Sequence, residues 1–262
     1  MDWVKRCPTA SAAAREAAGL RWLATADGGP RVVAVHAVDG ARLTLERVPD
    51  GGRPDASAAA AFGAALARMH AAGAAFWGAP PPGSGGDGTI GAAVLATSAD
   101  ARTAPATWGA FYARCRVLPH LRSAVGRGSV TAAGAAVIER VADRLAGGEL
   151  DHPQPGLLAL DAPARLHGDL WSGNVLWDAG GAVLIDPAAQ GGHAETDLAM
   201  LALFGAPRLG EILAGYDGVS PLAPGWRDRV ALHQLHPLLV HAELFGPSYG
   251  RDAVDAARGY LD

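Results

Sequence analysis

Between Arg165 and Pro187 the chain reads RLHGDLWSGNVLWDAGGAVLIDP, a stretch holding a His, two separated acids and an Asn that together suit one reaction. Asp169 precedes Asn174 by five positions, the offset at which a phosphoryl-transfer loop places its base before a metal-binding amide. A lone D-x-x-x-x-N reads more simply as two turn-capping side chains. Here His167 precedes the pair and Asp186 follows it, so the chemistry-bearing residues coincide in one short segment. Val175 to Trp177 and Ala182 to Ile185 are apolar, β-prone runs on either side of Asp178-Ala179-Gly180-Gly181, which is turn chemistry and predicts a β-hairpin. The hairpin puts Asn174 at the start of one strand and Asp186 at the end of its neighbour, roughly 5–8 Å apart at Cβ. An amide oxygen and a carboxylate so placed suit Mg2+, which takes oxygen ligands at about 2.1 Å and shares its shell with phosphates and water. Asp169 is left free for the hydroxyl to be phosphorylated.

Composition bounds the rest. Half of the 262 residues are hydrophobic, enough for a sizeable core in one two-lobed unit or two small domains. The formal net charge of −4, with no basic stripe, argues against non-specific binding to nucleic acid. Cys7 and Cys115 are too few and too far apart for a disulfide framework, and neither has a Cys or His at zinc spacing. No charged segment leads into an apolar run at the N-terminus, and no apolar run of about 18 residues occurs, so the expectation is a soluble cytoplasmic protein with no membrane partner.

HGDLWSGN (167–174), IDPA (185–188) and GHAETDLAMLALFG (192–205) resemble the fructosamine-3-kinase (ketosamine kinase) family, a branch of the aminoglycoside-phosphotransferase and protein-kinase-like superfamily. His-Gly-Asp marks the superfamily, and Leu170-Trp171-Ser172-Gly173-Asn174 marks the branch. The resemblance implies ATP and Mg2+ as cofactors, Asp169 as catalytic base, Asn174 and Asp186 as metal ligands, and His167 and Trp171 on the acceptor side. It also pairs a phosphate-binding Lys5 with Glu16, since Lys5 followed by Glu16-Ala17-Ala18-Gly19-Leu20 is similar to the family's strand Lys and helix Glu. The acceptor it implies is a ketosamine, free or on a protein, whose phosphorylated adduct falls apart and so repairs glycation. The same residues would serve a sister kinase for an aminoglycoside or choline-like alcohol, and a non-catalytic nucleotide-binding protein is the alternative of a different class.

The expected fold is α+β and protein-kinase-like: a reduced N-terminal antiparallel sheet over residues 1–49, then a mostly helical lobe over 50–262 that carries the catalytic segment 165–187. Trp3 to Lys5 reads as a strand and Ala10 to Ala24 as a helix. Val32 to Val38 and Ala41 to Val48 form a hairpin about Asp39-Gly40, and Glu46 to Pro49 follows as a hinge, with Glu46 and Val48 offering backbone groups to an adenine. A kinase-like fold covers the phosphates with a Gly-rich loop ahead of the Lys strand, and only Met1 to Val4 stand there. Either the chain starts downstream of the natural start, or the phosphate site is open and the unpaired edge of the first strand makes the protein a monomer or weak dimer.

Asp55 to Ala72, Thr107 to Ala124, Thr131 to Leu145, Thr196 to Phe204, Gly225 to Phe245 and Tyr249 to Leu261 read as helices, and Phe76 to Ala101 as a long loop with a mobile tip whose DGTIG run resembles a family segment beside the cleft. His70 is expected to be a hydrogen-bonded helix-end His, and Trp108, Phe111, Tyr112 and Arg116 a core stripe. Glu195 and Asp197 are expected to stabilise a helix start rather than bind metal. His233, His236 and His241 are not at metal spacing with a third ligand nearby.

Overall fold

A computed structural model describes residues 2–49, 51–159 and 162–261; Met1, Asp50 and Asp262, which bound the two expected lobes, lie outside the described residues. Strand β1 (Asp2–Arg6) is followed by helix α1 (Ala10–Ala24), whose first turn is closed by Thr9 accepting the Ala12 amide. The buried Ala13, Ala17, Leu20 and Leu23 of α1 recur at helical spacing and face the core. Beyond it come β2 (Arg31–Val32), β3 (Val35–Asp39) and β4 (Arg42–Glu46), and the sheet has the order β1-β4-β3, all antiparallel. Val32 to Val38 is therefore not one strand. The chain breaks after Val32 because β2 leaves this sheet and pairs in parallel with β9 (Gly181–Leu184), while β9 pairs antiparallel with β8 (Val175–Asp178).

That crossover ties Arg31 and Val32 to the β8–β9 hairpin. One apolar core runs through Leu20, Leu43 and Leu45 to Phe62, Leu170, Trp177 and Val183, so packing does not divide at Pro49. Helix α2 (Ala56–Ala71), capped by Asp55, crosses α7 (Leu209–Asp217), a helix absent from the sequence reading. A Cβ added to Gly63 would stand 1.8 Å from the Ile212 carbonyl oxygen, and one added to Gly215 would stand 2.0 Å from that of Ala60. Two glycines thus let these backbones touch.

The second core is built by the remaining helices. Thr107 caps α3 (Trp108–Tyr112), which passes through a π turn (Ala113–Val117) into α4 (Leu118–Gly126). Helix α5 (Ala132–Ala146) packs on α9 (Pro247–Arg258), and α6 (Ala194–Leu203) on α8 (Trp226–Phe245), which contains Pro237. Trp108, Phe111, Tyr112 and Arg116 are buried here, as a stripe at helical spacing should be. The 76–101 loop has structure of its own: β5 (Gly88–Ile90) and β6 (Ala93–Leu95) pair as a small hairpin, and Arg15 donates to the Gly85 and Gly86 carbonyls at the loop's tip. Strand β7 (Ala164–Leu166) pairs antiparallel with β10 (Gln190–Gly192) and delivers the chain to His167.

Candidate active site

Leu166 pairs with Gln190, and the next two amides turn away from the ladder to Asp197. Its carboxylate accepts the His167 amide at 2.7 Å and the Gly168 amide at 2.9 Å, one on each oxygen. Gly168 has φ +83°, and a Cβ there would lie 2.2 Å from the Ala188 carbonyl oxygen, so only glycine passes this point. His167 is fully buried. Its Nε2–H donates to the Ile185 carbonyl at 2.9 Å and its Nδ1 accepts the Asp169 amide at 3.3 Å. It does not line the cleft, so its place on the acceptor side is corrected: the imidazole braces the loop against the far end of the hairpin.

Asn174 closes the 3-10 turn Ser172–Asn174, and its amide NH2 donates to the Asp169 carbonyl at 2.8 Å and to Asp169 Oδ2 at 3.2 Å. The amide oxygen is left for another partner. Ile185 donates to the Asn174 carbonyl at 3.1 Å, which carries the ladder one pair past β8 and β9 and sets Asp186 beside the turn. Asp186 has φ +53°, a left-handed conformation that a non-glycine residue adopts at a cost and that clusters at functional sites. Lys5 Nζ reaches it from β1, 2.9 Å from Asp186 Oδ1 and 2.9 Å from Glu16.

Lys5, Glu16, Asp169, Trp171, Asn174 and Asp186 line one cleft of about 400 Å³, with Thr89, Ile90 and Gly91 of the DGTIG run on its other wall. Burial works against the charged form of Lys5, but Glu16 and Asp186 outweigh it and hold the ammonium above its ordinary range. Burial pushes the Glu16 carboxyl up despite Lys5. It also raises Asp169, against His167 and the Asn174 hydrogen bond. A carboxylate held partly out of water is a stronger base than a solvated one and so better suited to taking a proton. Trp171 is 41% exposed, and its indole lies over Gly173, where a Cβ would meet the ring at 2.2 Å.

Glu46 and Val48 do not reach this cleft. The Glu46 amide donates to the Ala34 carbonyl at 2.8 Å and its carboxylate pairs with Arg31, which also holds Asp178; Val48 packs against the first core. Both backbone and side chain of Glu46 are committed to the β2–β4 corner. His70 has the structural role expected of it, joined to Tyr216 at 2.9 Å and to Asp197 at 3.2 Å. What the sequence reading missed is the cluster of His152, His193, Glu195 and His233, whose ligand atoms lie within 4.8 Å of one another. The expectation that His233 has no third ligand nearby is thus corrected. Three segments far apart in the chain supply the group, so no local spacing announces it. Burial drives the His152 and His233 rings down to about 3 and His193 well below its ordinary value.

The fold and cleft define the class. A solved gentamicin-APH(2")-IIa complex covers all of this chain with TM-score 0.59 at 11% identity, a likeness of fold alone, and places the architecture among the protein-kinase-like α+β folds. The fructosamine kinase family profile matches residues 5–262, and the chain belongs to that family. A structure titled "putative fructosamine-3-kinase", from Thermobifida fusca, is 45% identical with TM-score 0.86 over 99% of this chain and 85% of that one. The "Probable ketoamine kinase YniA" of Escherichia coli K12 is 35% identical over 220 residues, which is 83% of this chain and 68% of that protein. A "Probable ketoamine kinase" of Enterococcus faecium is 51% identical over 89 residues, and that alignment spans 34% of this chain and about a third of the relative's length.

Proposed function

We propose that the chain transfers the γ-phosphoryl group of ATP to a sugar hydroxyl of a ketosamine, small or protein-bound, in an in-line displacement that leaves ADP. The observation that supports this most is the convergence, in one cleft, of Asp169, Asn174 and Asp186 with the Lys5–Glu16 pair, whose ammonium also touches Asp186. Asp169 orients the acceptor hydroxyl and takes its proton as the new O–P bond forms and the bond to the ADP oxygen breaks. Lys5, held by Glu16, neutralises phosphate charge.

The donor set fits Mg2+, because both residues offer oxygen and the Asn174 NH2 is turned to Asp169, leaving its oxygen for a cation. Asn174 and Asp186 would hold the ion, which supplies charge neutralisation at the phosphates. The acceptor stands on the family and on the Trp171 indole at the cleft, where an aromatic face suits the apolar side of a sugar. A deglycation role follows if the phosphorylated adduct decomposes. Among the described residues no helix is long and apolar enough to cross a membrane, and the reaction needs the ATP pool of the cytoplasm. Among the described residues strand β1 pairs on one side only, with β4, and it is short and mostly exposed, which suits a monomer or weak dimer. An assay of ATP consumption with a ketosamine, an aminoglycoside or no acceptor tests the reading. Consumption that rises only with the ketosamine is expected; a rise only with the aminoglycoside would move the substrate, and no rise with any would remove the activity.

A further inference from the structure

Outside the cleft, one buried group of side chains has donor chemistry that phosphoryl transfer leaves unused. His152 lies between α5 and β7, His193 and Glu195 open α6, and His233 belongs to α8. None of them lines the cleft. His152 Nδ1 is 2.8 Å from the Leu150 carbonyl, to which it donates, so its Nε2 is bare and faces the group. His233 Nδ1 is 2.9 Å from the Thr196 hydroxyl, which turns its Nε2 inward as well. The two Nε2 atoms are 2.9 Å apart, and Glu195 Oε2 lies 3.6 Å from that of His152 and 3.4 Å from that of His233. A tetrahedral ion with nitrogen and oxygen ligands at about 2.0–2.1 Å sets neighbouring ligand atoms roughly 3.3 Å apart, and the three spacings bracket that value.

His193 supplies a second, independent observation. Its Nδ1 accepts the Glu195 amide at 3.2 Å, so the neutral ring carries its proton on Nε2. That Nε2 is buried and finds no acceptor among the described residues. A hydrogen bond between the His152 and His233 rings, with Glu195 closed on Arg229, would account for three of the four side chains without an ion. It leaves the His193 donor stranded. A water held in the fourth position of an ion accepts that N–H and removes the defect.

We propose that His152 Nε2, His233 Nε2 and Glu195 Oε2 bind a divalent ion of borderline softness, with Zn2+ the type, and that His193 Nε2–H holds a water on its fourth position. Two imidazoles and a carboxylate select such an ion over Mg2+ or Ca2+. Each ligand is oriented from behind: His152 by Leu150, His233 by Thr196, and Glu195 by Arg229, whose Nη2 is 2.6 Å from Oε1 and whose Nε is 2.9 Å from Oε2. The Arg229 charge and the α6 N-terminus oppose a cation, and the Glu195 carboxylate lies between them and the ion. The Trp108 ring, with its centroid 4.5 Å from that of His152 and 4.8 Å from that of His233, walls the site from water. The ion is structural. It joins the 152 segment and α8 to the start of α6, two residues from the Asp197 that holds the His167 and Gly168 amides.

Untagged, chelator-stripped protein titrated with Zn2+ in excess Mg2+, in competition with a chromophoric chelator, tests the site. One equivalent should bind, and Co2+ in its place should give the intense visible bands of a tetrahedral site. His152→Gln and His233→Phe should each weaken binding by at least about 100-fold, since losing a partner that only orients a ligand already costs roughly 10–100-fold. Asp186→Ala, at the cleft, should leave Zn2+ affinity unchanged. Should His233→Phe not fold, His152→Gln and the Co2+ spectrum of the wild type still decide. No tight Zn2+ equivalent in the wild type, no tetrahedral Co2+ bands, or full affinity in folded His152→Gln overturns the proposal.

Discussion

Lys5 Nζ and Asp186 Oδ1 meet at 2.9 Å, joining strand β1 to the segment that follows the β8–β9 hairpin. With Glu16 on the same ammonium, the cation is placed by two carboxylates, and all three side chains line the cleft. Lys5→Met should therefore lower kcat by about 10²–10³, the usual loss when one preorganised charge-stabilising donor goes. Because the Lys5 side chain is 30% exposed, the ion pairs contribute only about 0–1 kcal/mol to folding, and the melting temperature should scarcely move. A large fall in melting temperature with unchanged kcat would reverse these roles.

Asp197 is the opposite case, buried and committed to the His167 and Gly168 amides and to His70. Asp197→Ala strands the buried His167 N–H and the half-buried Gly168 N–H, so urea denaturation should show a loss of about 3 kcal/mol. Activity should fall with it, because the loop that carries Asp169 loses its anchor. Wild-type stability in this variant would mean that the loop is held elsewhere.

Much of this was legible beforehand because it is local. Helix α1 begins and ends at the residues its pattern predicts, and α2 starts directly after Asp55, the first residue of its predicted run. The β8–β9 hairpin follows from two β-prone runs about a turn, and it fixes the relation of Asn174 to Asp186. What the chain did not announce is what depends on partners distant in sequence. Strand β2 is two residues long and exists because β9 lies beside it. Helix α7 is legible only through the glycines that let it touch α2. His167 lies in the motif yet faces Ile185, since motif membership does not say which way a ring points. Glu46, expected at a hinge, is spent on Arg31, fifteen residues earlier.

Trp171 tests the proposed division between acceptor and nucleotide. Its indole covers Gly173 and lines the cleft two residues along the chain from Asp169. Trp171→Ala should raise the acceptor KM by roughly 10-fold, the effect of losing about 1.4 kcal/mol of contact, with the KM for ATP unchanged. Equal losses for both substrates would place the indole in the scaffold instead.

Burial raises Asp169, so the folded protein binds a proton there over a window in which the unfolded chain has already lost it. The contribution of this group to stability is full below the ordinary carboxylate range and is lost as pH rises through the raised folded value. At neutral pH the ionised carboxylate therefore costs stability, and Asp169→Asn should melt at or above the wild-type temperature. The acid limb of the wild-type kcat profile should fall above the ordinary Asp range. A limb within that range, or a variant clearly less stable than wild type at pH 7, would contradict the direction of the shift.

The most direct measurement is single-turnover phosphoryl transfer from Mg·ATP to a synthetic fructosamine by wild type and by Asp169→Asn, with nucleotide binding measured on both. If Asp169 is the base that takes the acceptor proton, the variant binds Mg·ATP as wild type does and transfers phosphate slower by about 10²–10⁴. Transfer within tenfold of wild type by a folded, nucleotide-binding Asp169→Asn protein would contradict it.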